Sequence, residues 1–214
     1  MNNKKVSFDA IMFALSYWLI FITFEGSFSV QILLPVLILM IIYKVFIDKN
    51  IRIKMDKSKR NLFYFVFALF ISTIINLIVN IKYFNINTII GLLYFIVIFL
   101  WYIIATNKVY TDKEINMIKT SYIIVSVICS IFLIERFLSG QTGKIAMINL
   151  VGMEIDENYV SAIIAMATLL VFQNILSVNK KIWIKLINII YLIINIFAVA
   201  LSGSRAALIG LAIA

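Results

Sequence analysis

Arg205 is the residue of this chain best placed to do chemistry. It stands in LSGSRAALIGLAIA, residues Leu201 to Ala214, and is the sole charge after Lys185. Run as one helix, residues 183–214 would be about 48 Å long at 1.5 Å per residue. That exceeds the roughly 30 Å of a bilayer's hydrocarbon by more than half. The helix is therefore expected to break, and Ser202-Gly203-Ser204 is the place. Glycine accepts the backbone of a helix end, and Ser204 suits the N-cap of the next helix. Arg205 then sits in the first turn of that new helix, where backbone N–H groups and the dipole favour an anion. A guanidinium there makes a phosphate site, because its fork engages two phosphate oxygens at once. The alternative is that Arg205 only anchors the helix at lipid headgroups.

Other polar residues are candidates of the same kind. Glu135 and Arg136 close an apolar run, as interfacial anchors or, for Arg136, as a second phosphate contact. Glu154, Asp156 and Glu157 form an acidic cluster whose spacing matches no specific metal loop; it reads as a solvated loop or as a holder of a divalent cation beside a pyrophosphate. Asn188, Asn195 and Ser202 recur every seven residues, which puts one polar stripe on a helix. Such a stripe either bonds a neighbouring helix or walls a polar groove. Histidine is absent, so histidine base, nucleophile and ligand chemistry is excluded within these residues, and Cys129 has no cysteine to pair with.

The elements that must carry these residues follow from composition. Of 214 residues 64% are hydrophobic and 14% charged, against about half and a quarter in soluble chains. The apolar residues come in runs long enough to cross a bilayer as helix. The expected fold is all-α, a polytopic transmembrane bundle with seven spans near 10–24, 28–47, 61–79, 88–106, 118–138, 158–178 and 183–202. An eighth begins near Ser204. The basic N-terminus with Lys4 and Lys5 is read as part of a retained first helix, since no small-residue cleavage site comes after it.

Placing the N-terminus and the 48–60, 107–117 and 179–185 loops on one side, with Lys44 and Lys119 at the adjoining helix ends, gathers 15 of the 19 Lys and Arg there. The positive-inside rule makes that side, and the N-terminus, cytoplasmic. The break at Ser202–Ser204 then falls at the outer face. The six basic residues of the 48–60 loop are expected to meet anionic lipid rather than nucleic acid. The 139–157 loop holds three of the seven glycines. Residues 1–214 read as one transmembrane domain, expected to be the N-terminal part of a longer protein because the last span stops without a cap or flank.

Two stretches together resemble the O-antigen ligase and O-antigen polymerase-like membrane family. LSGSRAALIGLAIA is similar to the segment with which that family closes one long helix and opens the next. DENYVSAIIAMATLLV (156–171) resembles its upstream turn, with Asn158 at the matching position. The likeness is specific over 150–214 and only topological before that. Glu157 stands where proline is frequent, and the family's large extracytoplasmic loop and last spans are not in these residues. The resemblance implies glycosyl transfer at the outer face of a bacterial cytoplasmic membrane. The donor would be a glycan on undecaprenyl pyrophosphate, the acceptor another lipid-linked repeat, a lipid core or a wall or protein group. Arg205 would neutralise the pyrophosphate; Ser204 and Arg136, read from their own chemistry, are its further candidate contacts, and Asn158 and Asn195 are the candidates for a substrate groove. Neither a nucleotide sugar nor a resident cofactor is implied. A flippase or other transporter, and a non-catalytic membrane partner, are the competing classes.

Overall fold

The computed structural model describes residues 6–22, 34–43, 46–47, 54–79, 86–148, 150, 152, 154–177 and 181–213. The fold is all-α apart from one short pair of strands. Four described helices are long and apolar enough to cross a membrane: Lys57–Asn76, Asp112–Leu138, Glu157–Leu176 and Ile182–Ser202. They coincide with the third, fifth, sixth and seventh apolar runs. Shorter apolar stretches, Phe8–Ile22, Leu34–Tyr43 and Phe95–Thr106, fall in the first, second and fourth. Residues 28–33 and 48–53, with Lys4, Lys5, Lys44 and Lys82, lie outside the described residues. The chain divides into two compact units: residues 7–12 with 26–111, and residues 1–6 and 13–25 with 112–214.

The first unit contains the start of α1 (Phe8–Ser16), then α2 (Leu34–Tyr43), α3 (Lys57–Val79) and α4 (Ile86–Thr106). Helices α3 and α4 meet through Val66, Phe99 and Ile103, with Leu62 and Ile96 packed against them. On each helix these residues are three or four apart, which is what places them on one face. Asp56 caps α3, its carboxylate accepting from Lys59 N at 2.9 Å. That bond, then the Lys59 side chain, hold the Asp56 carboxyl below its ordinary pKa.

Lys59 departs from the expectation of a solvated basic loop. It is only 3% exposed, and its ammonium donates to Lys54 O (3.0 Å) and Thr106 O (3.4 Å) and pairs with Asp56 (3.2 Å). The carbonyl at the end of α4 is a natural acceptor for such a cation. One of the six loop charges is therefore a staple between the start of α3 and the end of α4.

The second unit holds a 3-10 segment (Tyr17–Ile22), α5 (Asp112–Leu138), strands β1 (Met147–Ile148) and β2 (Glu154–Ile155), α6 (Glu157–Leu176), α7 (Ile182–Ser202) and α8 (Arg205–Ile213). Helix α5 starts six residues before the expected 118, because Asp112 and Glu114 in its first turn suit the positive end of the dipole. β1 and β2 pair antiparallel, Met147 opposite Ile155. In α7 the burial is inside out. Asn188, Asn195 and Ser202 are buried, whereas Ile190, Ile193, Ile196 and Phe197 are exposed. An apolar exterior around a polar seam is the arrangement that hydrocarbon selects, since lipid gives apolar side chains no reason to turn inward. With the four long helices, it marks a membrane protein.

Candidate functional site

The chain breaks where the length of the last apolar stretch requires it. Helix α7 ends at Ser202, Gly203 takes the left-handed conformation at φ +74°, and α8 starts at Arg205. Ser202 Oγ donates to Val199 O at 2.7 Å and accepts from Ser204 N at 3.2 Å. Its carbonyl accepts from Ile145 N in the 139–157 loop at 3.4 Å. Ser204 O receives Leu208 N, so Ser204 stands at the N-cap position of α8. A methyl group on Gly203 would meet Gly143 O and the Lys144 Cα at 3.7–3.8 Å, ordinary contacts. The demand on Gly203 is therefore backbone conformation and not space. Gly203→Ala should lower stability by about 1–2 kcal/mol, and Gly203→Asn by less, measured by thermal unfolding in detergent.

The two halves of the sequence likeness meet here. Ser204, 2% exposed, donates its hydroxyl to Asn158 Oδ1 at 3.0 Å across 46 residues of chain. Asn158 is in the first turn of α6, set by the N-cap Asp156, whose carboxylate accepts from Asn158 N and Tyr159 N at 2.9 and 3.2 Å. The hydroxyl expected to cap α8 instead ties α8 to α6. Arg205, next in sequence, is exposed, and among the described residues nothing hydrogen-bonds or ion-pairs with its guanidinium.

Lys144, which no motif singles out, joins this group. Its ammonium lies 2.8 Å from Glu157 Oε1. The hydrogen bond and charge of Glu157 hold Lys144 above its ordinary pKa, while nearby Arg205 pushes it the other way. Arg205 thus brings a charge with no ion pair among the described residues to the start of α8, beside the Lys144–Glu157 pair, where the first-turn amides also favour an anion. Ile145 and Met147, 1% and 0% exposed, pin the loop that delivers Lys144.

The three acids of the 154–157 cluster are divided among different partners. Glu154 pairs with Arg136 at 3.3 Å, Asp156 caps α6 and Glu157 holds Lys144. Among the described residues no group of three or more Asp, Glu or Cys side chains is gathered as a metal site would need. Arg136 is committed to the hairpin, donating to Ala146 O at 3.0 Å as well as to Glu154. It lines a cavity of about 660 Å³ at the end of α5. Asn195 is elsewhere again. It is fully buried between α5 and α7, accepting from Ser130 Oγ at 2.9 Å and donating to Ser126 Oγ at 3.3 Å. Its stripe bonds neighbouring helices, and Asn188 does the same by accepting from Asn174 of α6 at 3.4 Å.

The structure therefore brings Ser204, Arg205 and Asn158 together, adds Lys144, and commits Arg136 and Asn195 to other partners. No protein-family model, curated protein or solved structure matches the chain.

Proposed function

We propose that the chain takes part in glycosyl transfer at the outer face of a bacterial cytoplasmic membrane, using a glycan carried on undecaprenyl pyrophosphate. The observation that carries this reading is the Ser204–Asn158 hydrogen bond, which sets the exposed Arg205 beside the starts of two helices. The group's chemistry is that of a pyrophosphate cradle. Arg205 supplies an uncommitted planar two-point donor and α8 the positive end of its dipole, beside a Lys144 ammonium held by Glu157. A pyrophosphate leaving group gains negative charge as its bond to the sugar breaks. Fixed donors at that point stabilise the transition state more than the bound substrate. In this reading the bundle has seven spans and the start of an eighth, with a cytoplasmic N-terminus, so that α8 opens on the outer side. The resulting product is a polymerised surface glycan or one ligated to an acceptor.

A reconstituted assay tests the proposal. Purified protein in liposomes, given undecaprenyl-pyrophosphate-linked repeat units, is expected to release undecaprenyl pyrophosphate as glycan lengthens or joins an acceptor. Movement of intact lipid-linked repeats between leaflets without that release would instead identify a flippase.

A further inference from the structure

The cavity at the end of α5 is not used by the pyrophosphate reading. Phe132, Glu135 and Arg136 line it from α5, Gln141 from the loop, and Ile148 and Leu150 from the hairpin. The three helical residues are three and four positions apart and so share one face. At about 660 Å³ the cavity lies within the roughly 300–1,000 Å³ of small-molecule pockets. Its polar groups are unequal in what they still offer. Arg136 is engaged by Glu154 and Ala146 O, and the Ser139 hydroxyl on the same rim donates to Glu135 O at 2.9 Å. The Gln141 side-chain oxygen is buried and has no partner among the described residues. The Glu135 carboxylate is exposed and likewise without a described partner. The Glu135 carboxylate is an acceptor, and the Gln141 amide offers an acceptor oxygen and, with no partner among the described residues, its N–H donors. Beside them lie a Phe132 ring, which meets Phe21 edge-on at 5.9 Å, and two aliphatic side chains.

We propose that this cavity is a saccharide subsite, in which Glu135 and Gln141 accept hydrogen bonds from sugar hydroxyls while Phe132, Ile148 and Leu150 meet the sugar's C–H face. A ligand rich in O–H donors with an apolar face fits two acceptors beside apolar side chains. A phosphate fits less well, because it brings negative charge to the Glu135 carboxylate while the Arg136 charge is already paired with Glu154. The choice of sugar rests on the glycosyl-transfer reading, and the subsite would hold the glycan of the donor or acceptor away from the pyrophosphate.

The test uses protein in lipid nanodiscs and, as probe, oligosaccharide released by mild acid from the host's lipid-linked pool and freed of phosphate. Saturation-transfer NMR is expected to show binding by the wild-type protein. Glu135→Ala and Gln141→Leu should each weaken it about tenfold or more, as loss of a buried or charged hydrogen bond does. Glu135 is exposed on a helix, so its alanine variant leaves the fold intact and keeps the test decisive even if Gln141→Leu folds poorly. Absence of binding by the wild-type protein, or unchanged affinity in Glu135→Ala, overturns the subsite. The transfer reading is judged separately, since sugar binding would survive a result in which Arg205→Ala still forms glycan.

Discussion

Arg205→Ala is expected to abolish polymerised or ligated glycan, with lipid-linked repeat units accumulating on the outer side of the membrane and the fold unchanged. The fold should be indifferent because Arg205 is exposed and has no bonded partner among the described residues. Its neighbours are held by other means: Ser204 by Asn158, Lys144 by Glu157, Gly203 by its own backbone. The chemistry should not be indifferent. Removing one preorganised donor from a developing oxyanion slows a reaction about 10²–10³-fold, and the guanidinium is both a fork of donors and a full charge. Arg205→Lys keeps the charge but loses the fork, so it should fall between the two. Lys144 does not replace Arg205, since its ammonium is already engaged by Glu157. The measurements are thermal unfolding of the purified variant, glycan length in cells, and the side on which repeats accumulate. Normal glycan from the alanine variant would reduce Arg205 to a membrane anchor. Accumulation on the inner side would favour the flippase.

The residues that sequence can place are those governed by length and periodicity. The break at Gly203 is legible because no single helix of that length fits a bilayer, and the helix end then needs a residue that tolerates positive φ. The stripe of Asn188, Asn195 and Ser202 is legible as a stripe, but a period fixes a face and not its direction. Only the packing of α5 and α6 shows that the face turns inward. Asn158 is reached through resemblance alone, and Ser204 takes the N-cap position its residue type suggests while its hydroxyl turns to Asn158. Lys144 and Gln141 escape a reading of the sequence because the 139–157 loop has no period. Their positions depend on turns at Gly140 and Gly143 and on the buried anchors Ile145 and Met147. Lys59 passes for a topogenic charge because charge counting does not see the carbonyls of Lys54 and Thr106 that receive it. In each case the missing information is a contact distant in sequence or a backbone acceptor, and neither leaves a pattern in residue types.

Asn195→Asp is expected to be the most damaging single change to the fold, and comparison with Asn195→Leu shows why. Asn195, Ser126 and Ser130 are all fully buried, in the middle of two helices long enough to cross a membrane. The leucine variant loses the bonds across α5 and α7, but the serine hydroxyls keep partners within their own helix. The Ser130 hydroxyl, freed of Asn195, can turn its one hydrogen wholly to Ser126 O at 2.9 Å, and Ser126 Oγ donates to Ile123 O at 2.8 Å. Interhelical bonds of this kind contribute about 0.6 kcal/mol on average and at most about 1.7, so Asn195→Leu should cost about 1 kcal/mol. The aspartate variant replaces a donor with a second acceptor and puts a carboxylate where no cation is in reach among the described contacts. An Asp at the centre of a membrane helix costs about 2.5–3.5 kcal/mol even on insertion scales. Unfolding followed in detergent, or the yield of folded protein, should therefore rank wild type above leucine and leucine well above aspartate. A water-lined groove would give the reverse: aspartate tolerated, and leucine impaired in substrate handling without loss of stability. The same ranking thus decides whether this polar seam holds the helices together or carries the glycan.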